Sequence, residues 1–351
     1  MRLAALAVAV AVVVAMLGGG ARVATAAPDP DRKLVYTGQA MGTVITVFLW
    51  TDDELAAAKA AAAVFAEMKR IDGVMTTWTP DSEVSRINAA AGKQPVAVSE
   101  ETFTVIARAQ DVAKRTRGIF DITVGAFKGM WKFDQDMDGS LPAPADVQRR
   151  LAVIGYRHVV LDKAKRTVFL KKPGMSLTLG GIAKGYAVDK CVKLLHDAGF
   201  TSFMVQAGGD MYIAGKKADK PWVVGIRDPR GDTKETMFAV TPVEDRSFST
   251  SGDYERGFVK DGVRYHHILD PRTGQPARSS RSVTIRAKDA FTADAWSKVL
   301  FILGPAKSLA LLKREQLTDL EVVWVDDKNV VTMTPAIEKT LTILKPPTPG
   351  I

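Results

Sequence analysis

Leu177-Thr178-Leu179-Gly180-Gly181-Ile182-Ala183-Lys184-Gly185-Tyr186-Ala187-Val188-Asp189 joins an apolar, strand-like run to a helical one across a pair of glycines. Glycines there let the backbone come close to a ligand, and a helix N-terminus offers N–H groups and a positive dipole end to phosphate. Lys184 adds a point charge. The same glycines serve equally well as a tight packing turn, and both readings stand at this point. The spacing fits neither the Walker lysine loop nor the Rossmann glycine pattern. The segment therefore does not open a doubly wound nucleotide fold.

Outward from it, strands and helices mix without regular alternation. Residues 35–50 are β-rich and turn at Ala40-Met41-Gly42. Thr51 opens a capping box with Glu54, and an alanine-rich helix runs to about Ile71. Helices are predicted over 83–90 and 99–118, the second with Glu100 and Glu101 in its first turn. A short strand over 120–127 leads into an irregular stretch, 128–144, long enough to be a lid or a disordered segment. Beyond it come a helix over 145–154, a hairpin of 158–161 with 167–170, and the helix that ends at Gly199. Strands over 202–213, 222–227, 238–243, 247–251 and 281–285 precede a last helix starting near Thr292. This order, with no internal repeat, predicts a mixed α/β domain of the α+β class.

The N-terminus is set aside from the fold. Met1-Arg2 precedes an uncharged apolar run, Leu3 to Leu17, and the small-x-small sequence Ala24-Thr25-Ala26 follows, the pattern of a secretory signal peptide over 1–26. The run is short of the ~20 residues that a spanning helix needs. No twin arginine precedes it, which favours the general export route, and no cysteine lies near it to carry a lipid anchor. The chain is thus expected in the periplasm or otherwise exported, with the domain over 34–344 and a proline-rich C-terminal tail over 345–351.

One cysteine, Cys191, allows no internal disulfide, so packing alone must hold the fold. Cys191 falls on the apolar side of a predicted helix, where a thiol is structural. The chain is 46% hydrophobic and 25% charged, a balance that suits a globular protein and excludes a disordered one. Its net charge of +9 is scattered, with one basic cluster at Lys163-Ala164-Lys165-Arg166 that reads as a solvated turn. With few aromatics interleaved, a nucleic-acid surface is excluded, while phosphorylated ligands remain open.

Other chemistry-bearing pieces are ambiguous singly. Ala207-Gly208-Gly209-Asp210 reads as a glycine turn with a solvated aspartate. His267-Ile268-Leu269-Asp270-Pro271-Arg272-Thr273-Gly274 combines a strand end with an Asp-Pro turn. Asp294 falls on the first turn of the last helix, where an acid complements the dipole. Trp78 presents an indole that either stacks on a ligand ring or fills a core.

Together, the pieces resemble the ApbE family of FAD:protein FMN transferases from Met41 to Gly304. The matching stretches keep one order: A-M-G-T from Ala40, M-T-T-W from Met75, S-E-V-S-R-I-N from Ser82 and F-D-I-T-V-G from Phe120. P-G-M-S-L-T-L-G-G-I-A-K-G-Y-A-V-D from Pro173 and G-G-D from Gly208 come next. S-T-S-G-D-Y from Ser249, H-I-L-D-P-R-T-G from His267, T-A-D-A-W from Thr292 and F-I-L-G from Phe301 complete them.

The resemblance implies a two-lobed sheet-and-helix architecture with FAD in the cleft between lobes. It also implies a divalent metal, usually Mg²⁺, and transfer of FMN to a threonine or serine hydroxyl of a partner protein with release of AMP. Membrane redox-complex subunits are the partners it suggests, which would bring the protein to the inner membrane. Carried over by position, Met41, Trp78, Ile119, Phe120, Asp121, Thr178, Lys184 and Leu269 fall at FAD contacts. The metal positions fall on the Gly181 carbonyl, Asp294, Ser297 and Lys298, and His267 beside Asp270 is the candidate for activating the acceptor hydroxyl.

Two positions depart from the family pattern. Thr178 stands where an aspartate is common, and Lys298 stands where a Thr or Ser follows the metal-binding aspartate by four residues. Residues i and i+4 share a helix face, so the Lys298 ammonium competes with a metal for Asp294. Two other outcomes of the same site are hydrolysis of FAD to FMN and AMP, and a carrier that keeps FAD intact.

Overall fold

The computed structural model describes residues 33–133 and 136–351; the signal peptide expected over 1–26 lies outside them. Its centre is an eight-stranded sheet in the order Lys33–Ala40, Thr43–Trp50, Phe203–Ala207, Asp210–Ala214, Arg246–Gly252, Ser280–Ala287, Glu321–Asp326 and Val331–Met333. Every neighbouring pair is antiparallel. The mixed α+β reading is met, and a doubly wound sheet is absent among the described residues.

Strand alternation decides what covers each face. Ile45, Val47 and Leu49 point into the large core, while Phe48 and Trp50 pack against a second cluster. The first face is covered by three helices, α1 (Glu54–Met75), α5 (Ala183–Asp197) and α6 (Ala290–Arg314). On the second, Ile213, Phe248 and Val323 meet Trp222, Ile226 and Phe238. Those last three come from a small sheet in the order Thr342–Ile343, Met237–Val243, Lys220–Arg227 and Lys216–Lys217.

The other lobe carries α2 (Glu83–Ala89), α3 (Glu100–Arg115), α4 (Pro144–Leu151) and a sheet in the order Val96–Ala97, Thr167–Leu170 and Val159–Asp162. It does not own a separate core, because Val84, Ile106, Val168 and Leu177 join the same buried cluster as Val205 and Leu300. The seventh helix, α7, is the short Pro335–Glu338.

Several local expectations are corrected. The cap of α1 is Asp53, whose Oδ1 accepts from Ala56 N–H at 2.9 Å, and Thr51 Oγ1 instead accepts from Asp53 N–H. No strand forms over 120–127. The Asp121 carboxylate accepts from Thr123 N–H (2.8 Å) and Tyr156 N–H (2.6 Å), which bends the backbone into turns and a 3₁₀ turn at Gly125–Phe127. Residues 202–213 are two strands joined at Gly208-Gly209.

The last helix begins at Ala290, with Asp289 as its cap, so Asp294 sits in its second turn. That helix breaks at Gly304, whose φ of 70° places it in the left-handed region. It is apolar and long enough to cross a membrane, yet Trp296, Leu300 and Phe301 make it a core helix here. The proline-rich C-terminus is tied down, with Thr348 N–H and Oγ1 donating to Asp228. Cys191 is buried as read, and burial pushes its thiol up to about 12.

Candidate active site

A cleft of about 1000 Å³, lined in part by the loop that precedes α5, falls within the size range of ligand pockets. Met41, Trp78, Ile119, Phe120, Asp121, Thr178, Gly181, Lys184, His267, Leu269 and Lys298 all line it. Residues far apart in sequence are thus brought to one surface. Asp270, Asp294 and Ser297 stand behind the lining, buried.

Met41 and Gly42 turn the first hairpin with φ of 54° and 69°, the paired positive values of a type I′ turn. For a methionine this is strained, and the strain is held by Met41 N–H donating to Asp72 Oδ2 at 2.8 Å. Trp78 is 78% exposed, which removes the core reading of its indole. Lys128 Nζ lies 4.3 Å from its ring centre and donates to Thr77 O at 2.5 Å. Trp131 Nε1–H donates to Gly274 O at 2.9 Å, and its ring stacks on Phe133 and Tyr265.

The two readings of the 177–189 segment divide between its glycines. A Cβ on Gly185 would stand 2.3 Å from Ala290 O and 2.7 Å from Asp294 Cβ, so Gly185 is there for α5 to touch α6. Gly180 and Gly181 face the cleft. The expected cradle of free amides is mostly used up internally. Ile182 and Ala183 N–H donate to Leu179 O, and Gly185 N–H donates to Asp294 Oδ2 at 2.9 Å. Positive charge here comes from side chains.

Those side chains form a cluster of two acids and two lysines. Lys184 Nζ lies 2.6 Å from Asp210 Oδ2 and 3.7 Å from Asp294 Oδ2. Lys298 is bonded to Asp294 Oδ1. Asp210 is buried, contrary to its reading as a solvated turn residue, and accepts from Ser249 Oγ as well. Burial alone would lower the Lys184 pKa, but Asp210 and Asp294 outweigh it and hold the ammonium above its ordinary value. Burial raises Asp294, with Asp210 adding to the rise, whereas at Asp210 the two lysines overcome burial and lower it. Arg256, which no sequence signal marked, also lines the cleft and its Nη2 donates to Gly42 O at 3.4 Å.

His267 presents its ring to the cleft. The surrounding protein, then His266 and Arg256, push its pKa below its ordinary value, although the residue is exposed in the cleft. Water in the open cleft works against that depression, and the direction, a neutral imidazole at neutral pH, holds either way. Its expected partner is engaged elsewhere. Asp270 accepts from Arg272 N–H and Nε (both 2.9 Å) and Nη2 (2.6 Å), and among the described residues it makes no hydrogen bond to His267. Asp270 shapes the turn that presents His267 and Leu269. Asp121 is likewise committed to Thr123 and Tyr156, so it borders the cleft as a fold-forming acid.

The chemistry of the donor set decides the fit of a divalent metal. Among the described residues no three of His, Cys, Asp or Glu gather as a metal cage. Both Asp294 oxygens face N–H groups, and Ser297 Oγ donates to Asp294 O while sharing a 2.8 Å contact with Ser251 Oγ. Lys298, expected at a ligand position, carries an ammonium with no lone pair to give. As arranged, these residues do not fit Mg²⁺.

The family model described as the ApbE family matches residues 41–324. The chain belongs to the ApbE family. Among relatives named FAD:protein FMN transferase, one from Klebsiella pneumoniae (strain 342) is 33% identical, covering 87% of this chain and 93% of its own. Another, from Treponema pallidum (strain Nichols), is 35% identical, covering 89% and 88%. The crystal structure of the ApbE protein from Thermotoga maritima superposes with a TM-score of 0.80 at 33% identity, over 88% of this chain and 99% of that one. The flavin transferase ApbE from Vibrio cholerae gives 0.78 at 27% identity, over 88% and 99%.

Proposed function

We propose that this chain moves the FMN half of FAD onto a hydroxyl of an exported or membrane partner protein, through a phosphoester bond, and releases AMP. The observation that carries this reading is one cleft holding an exposed Trp78, a cation set of Lys184, Lys298 and Arg256, and an exposed His267. An indole face suits an aromatic ring system, and fixed cations suit a diphosphate. The names of its ApbE relatives support the same reaction.

In the step, the acceptor oxygen attacks the phosphorus that carries riboflavin. The bond from that phosphorus to the bridging oxygen breaks, and its electron pair leaves on the AMP phosphate. The hydroxyl proton passes to a lone pair of His267 and then to solvent. A base works best with a pKa near the working pH, and a bound diphosphate beside His267 raises its pKa toward that range. Mg²⁺ takes no step in this account, since the Asp294 and Ser297 oxygens are engaged within the chain. The reading extends to export by the 1–26 segment, a catalytic unit over 34–344, and an acceptor at the inner membrane.

The test is incubation with FAD and a peptide carrying one threonine, read by intact mass. FMN on the threonine peptide, and none when valine replaces it, is the expected result. AMP released over an unmodified peptide would make the chain an FAD hydrolase, and intact FAD would make it a carrier.

A further inference from the structure

Lys298 stands one turn after Asp294 on the same face of α6, and its ammonium holds Asp294 Oδ1. The second Asp294 oxygen accepts from Gly185 N–H and faces Lys184. Asp210 is closed in the same way, by Lys184 on one oxygen and Ser249 on the other. The Ser297 hydroxyl is spent on the Asp294 carbonyl and Ser251. An octahedral dication needs oxygen lone pairs turned toward one point. Here the lone pairs already face N–H and O–H groups, and two ammonium groups repel a third cation at the same place.

We propose that Lys298 replaces the divalent cation in this chain, so that Lys184 and Lys298 together hold the FAD diphosphate and FAD loads without added metal. The proposal rests on the flavin-transfer reading above. Both lysines line the cleft, and each ammonium has three donors, more than its carboxylate partner uses. A lysine is a compact charge well suited to phosphate oxygens. The two acids behind the lysines fix those charges in place before the substrate arrives, as a metal's ligands fix the metal.

FAD affinity, read by flavin fluorescence in excess EDTA and in excess Mg²⁺, is the test. The unaltered chain is expected to give the same Kd within about threefold in both. Lys298→Thr frees Asp294 and supplies a hydroxyl one turn on. In EDTA it should bind FAD about tenfold more weakly or worse, and Mg²⁺ should restore it. Loss of FAD from the unaltered chain in EDTA overturns the proposal, as does stoichiometric Mg²⁺ binding to its FAD complex by calorimetry. If Lys298→Thr does not fold, these two measurements on the unaltered chain still decide. Metal-dependent FAD loading with FMN appended to the threonine peptide sinks this proposal and leaves flavin transfer standing. Metal-free loading with no FMN on the peptide in any condition does the reverse.

Discussion

Lys184 Nζ lies 2.6 Å from Asp210 Oδ2, tying the first turn of α5 to the hairpin that turns at Gly208-Gly209. Asp210 is nearly fully buried, and removing it leaves Lys184 with Asp294, 3.7 Å away, as its remaining acid. Breaking a buried pair from one side costs about 3–5 kcal/mol. Asp210→Ala is expected to lower the unfolding free energy by up to that amount, read as a lower denaturant midpoint, and to weaken FAD binding. An unchanged midpoint would show that the pair carries no structural weight.

Gly185 and Gly73 make a matched pair. A Cβ at Gly185 collides with Ala290 O, whereas at Gly73 nothing lies within 4 Å. Gly185→Ala should destabilise the chain by about 1–3 kcal/mol through overpacking of α5 on α6. Gly73→Ala, inside α1, should stabilise it by about 0.5–1 kcal/mol. Chemical denaturation of both variants checks the pair.

His266 is neutral in the fold. Its Nε2 lies 2.8 Å from Ala277 O, its Nδ1 accepts from Ile268 N–H, and burial pushes its pKa down to about 4. The unfolded chain takes up that proton near 6.5. Between those values the unfolded state binds more protons, so this contribution is full above 6.5 and is lost as pH falls toward 4. The slope approaches about 1.4 kcal/mol per pH unit. Asp189 opposes it, since burial raises its pKa to about 6 and its contribution fades as pH rises through that value. Comparing His266→Gln with the unaltered chain isolates the histidine; the loss of melting temperature from pH 7 to pH 5 should be smaller in the variant than in the unaltered chain.

Trp78 is exposed and so adds little to stability. Trp78→Ala should leave the melting temperature unchanged while weakening FAD binding by about 1–3 kcal/mol, the range for stacking a base on an aromatic side chain. Trp78→Phe should recover part of that loss. Equal FAD affinity in all three would remove the indole from the site.

The sequence showed the first hairpin because Gly42 sits where a positive φ is required, and it placed the 177–189 turn because glycines punctuate it. It misplaced the cap of α1 because Thr51 and Asp53 are both good caps two residues apart, and only packing chooses between them. Residues 120–127 look like a strand by composition, but the Asp121 carboxylate draws the backbone into turns. Glu321–Asp326, a buried strand beside Ser280–Ala287, was missed because a short apolar run lacks a distinguishing period. In the site, the contact between Lys298 and Asp294 was legible from i, i+4 spacing. Arg256 was not, because a lone arginine in a loop has no local signature. The partners of Asp210 also stayed hidden, since side-chain pairing across elements leaves no trace in one sequence.

The measurement that bears most directly on flavin transfer counts products. The chain is incubated with FAD and a single-threonine peptide, and AMP and modified peptide are quantified together. Flavin transfer predicts one AMP for each peptide that gains the mass of FMN less one water. AMP in excess over modified peptide, or FAD left whole, would contradict it.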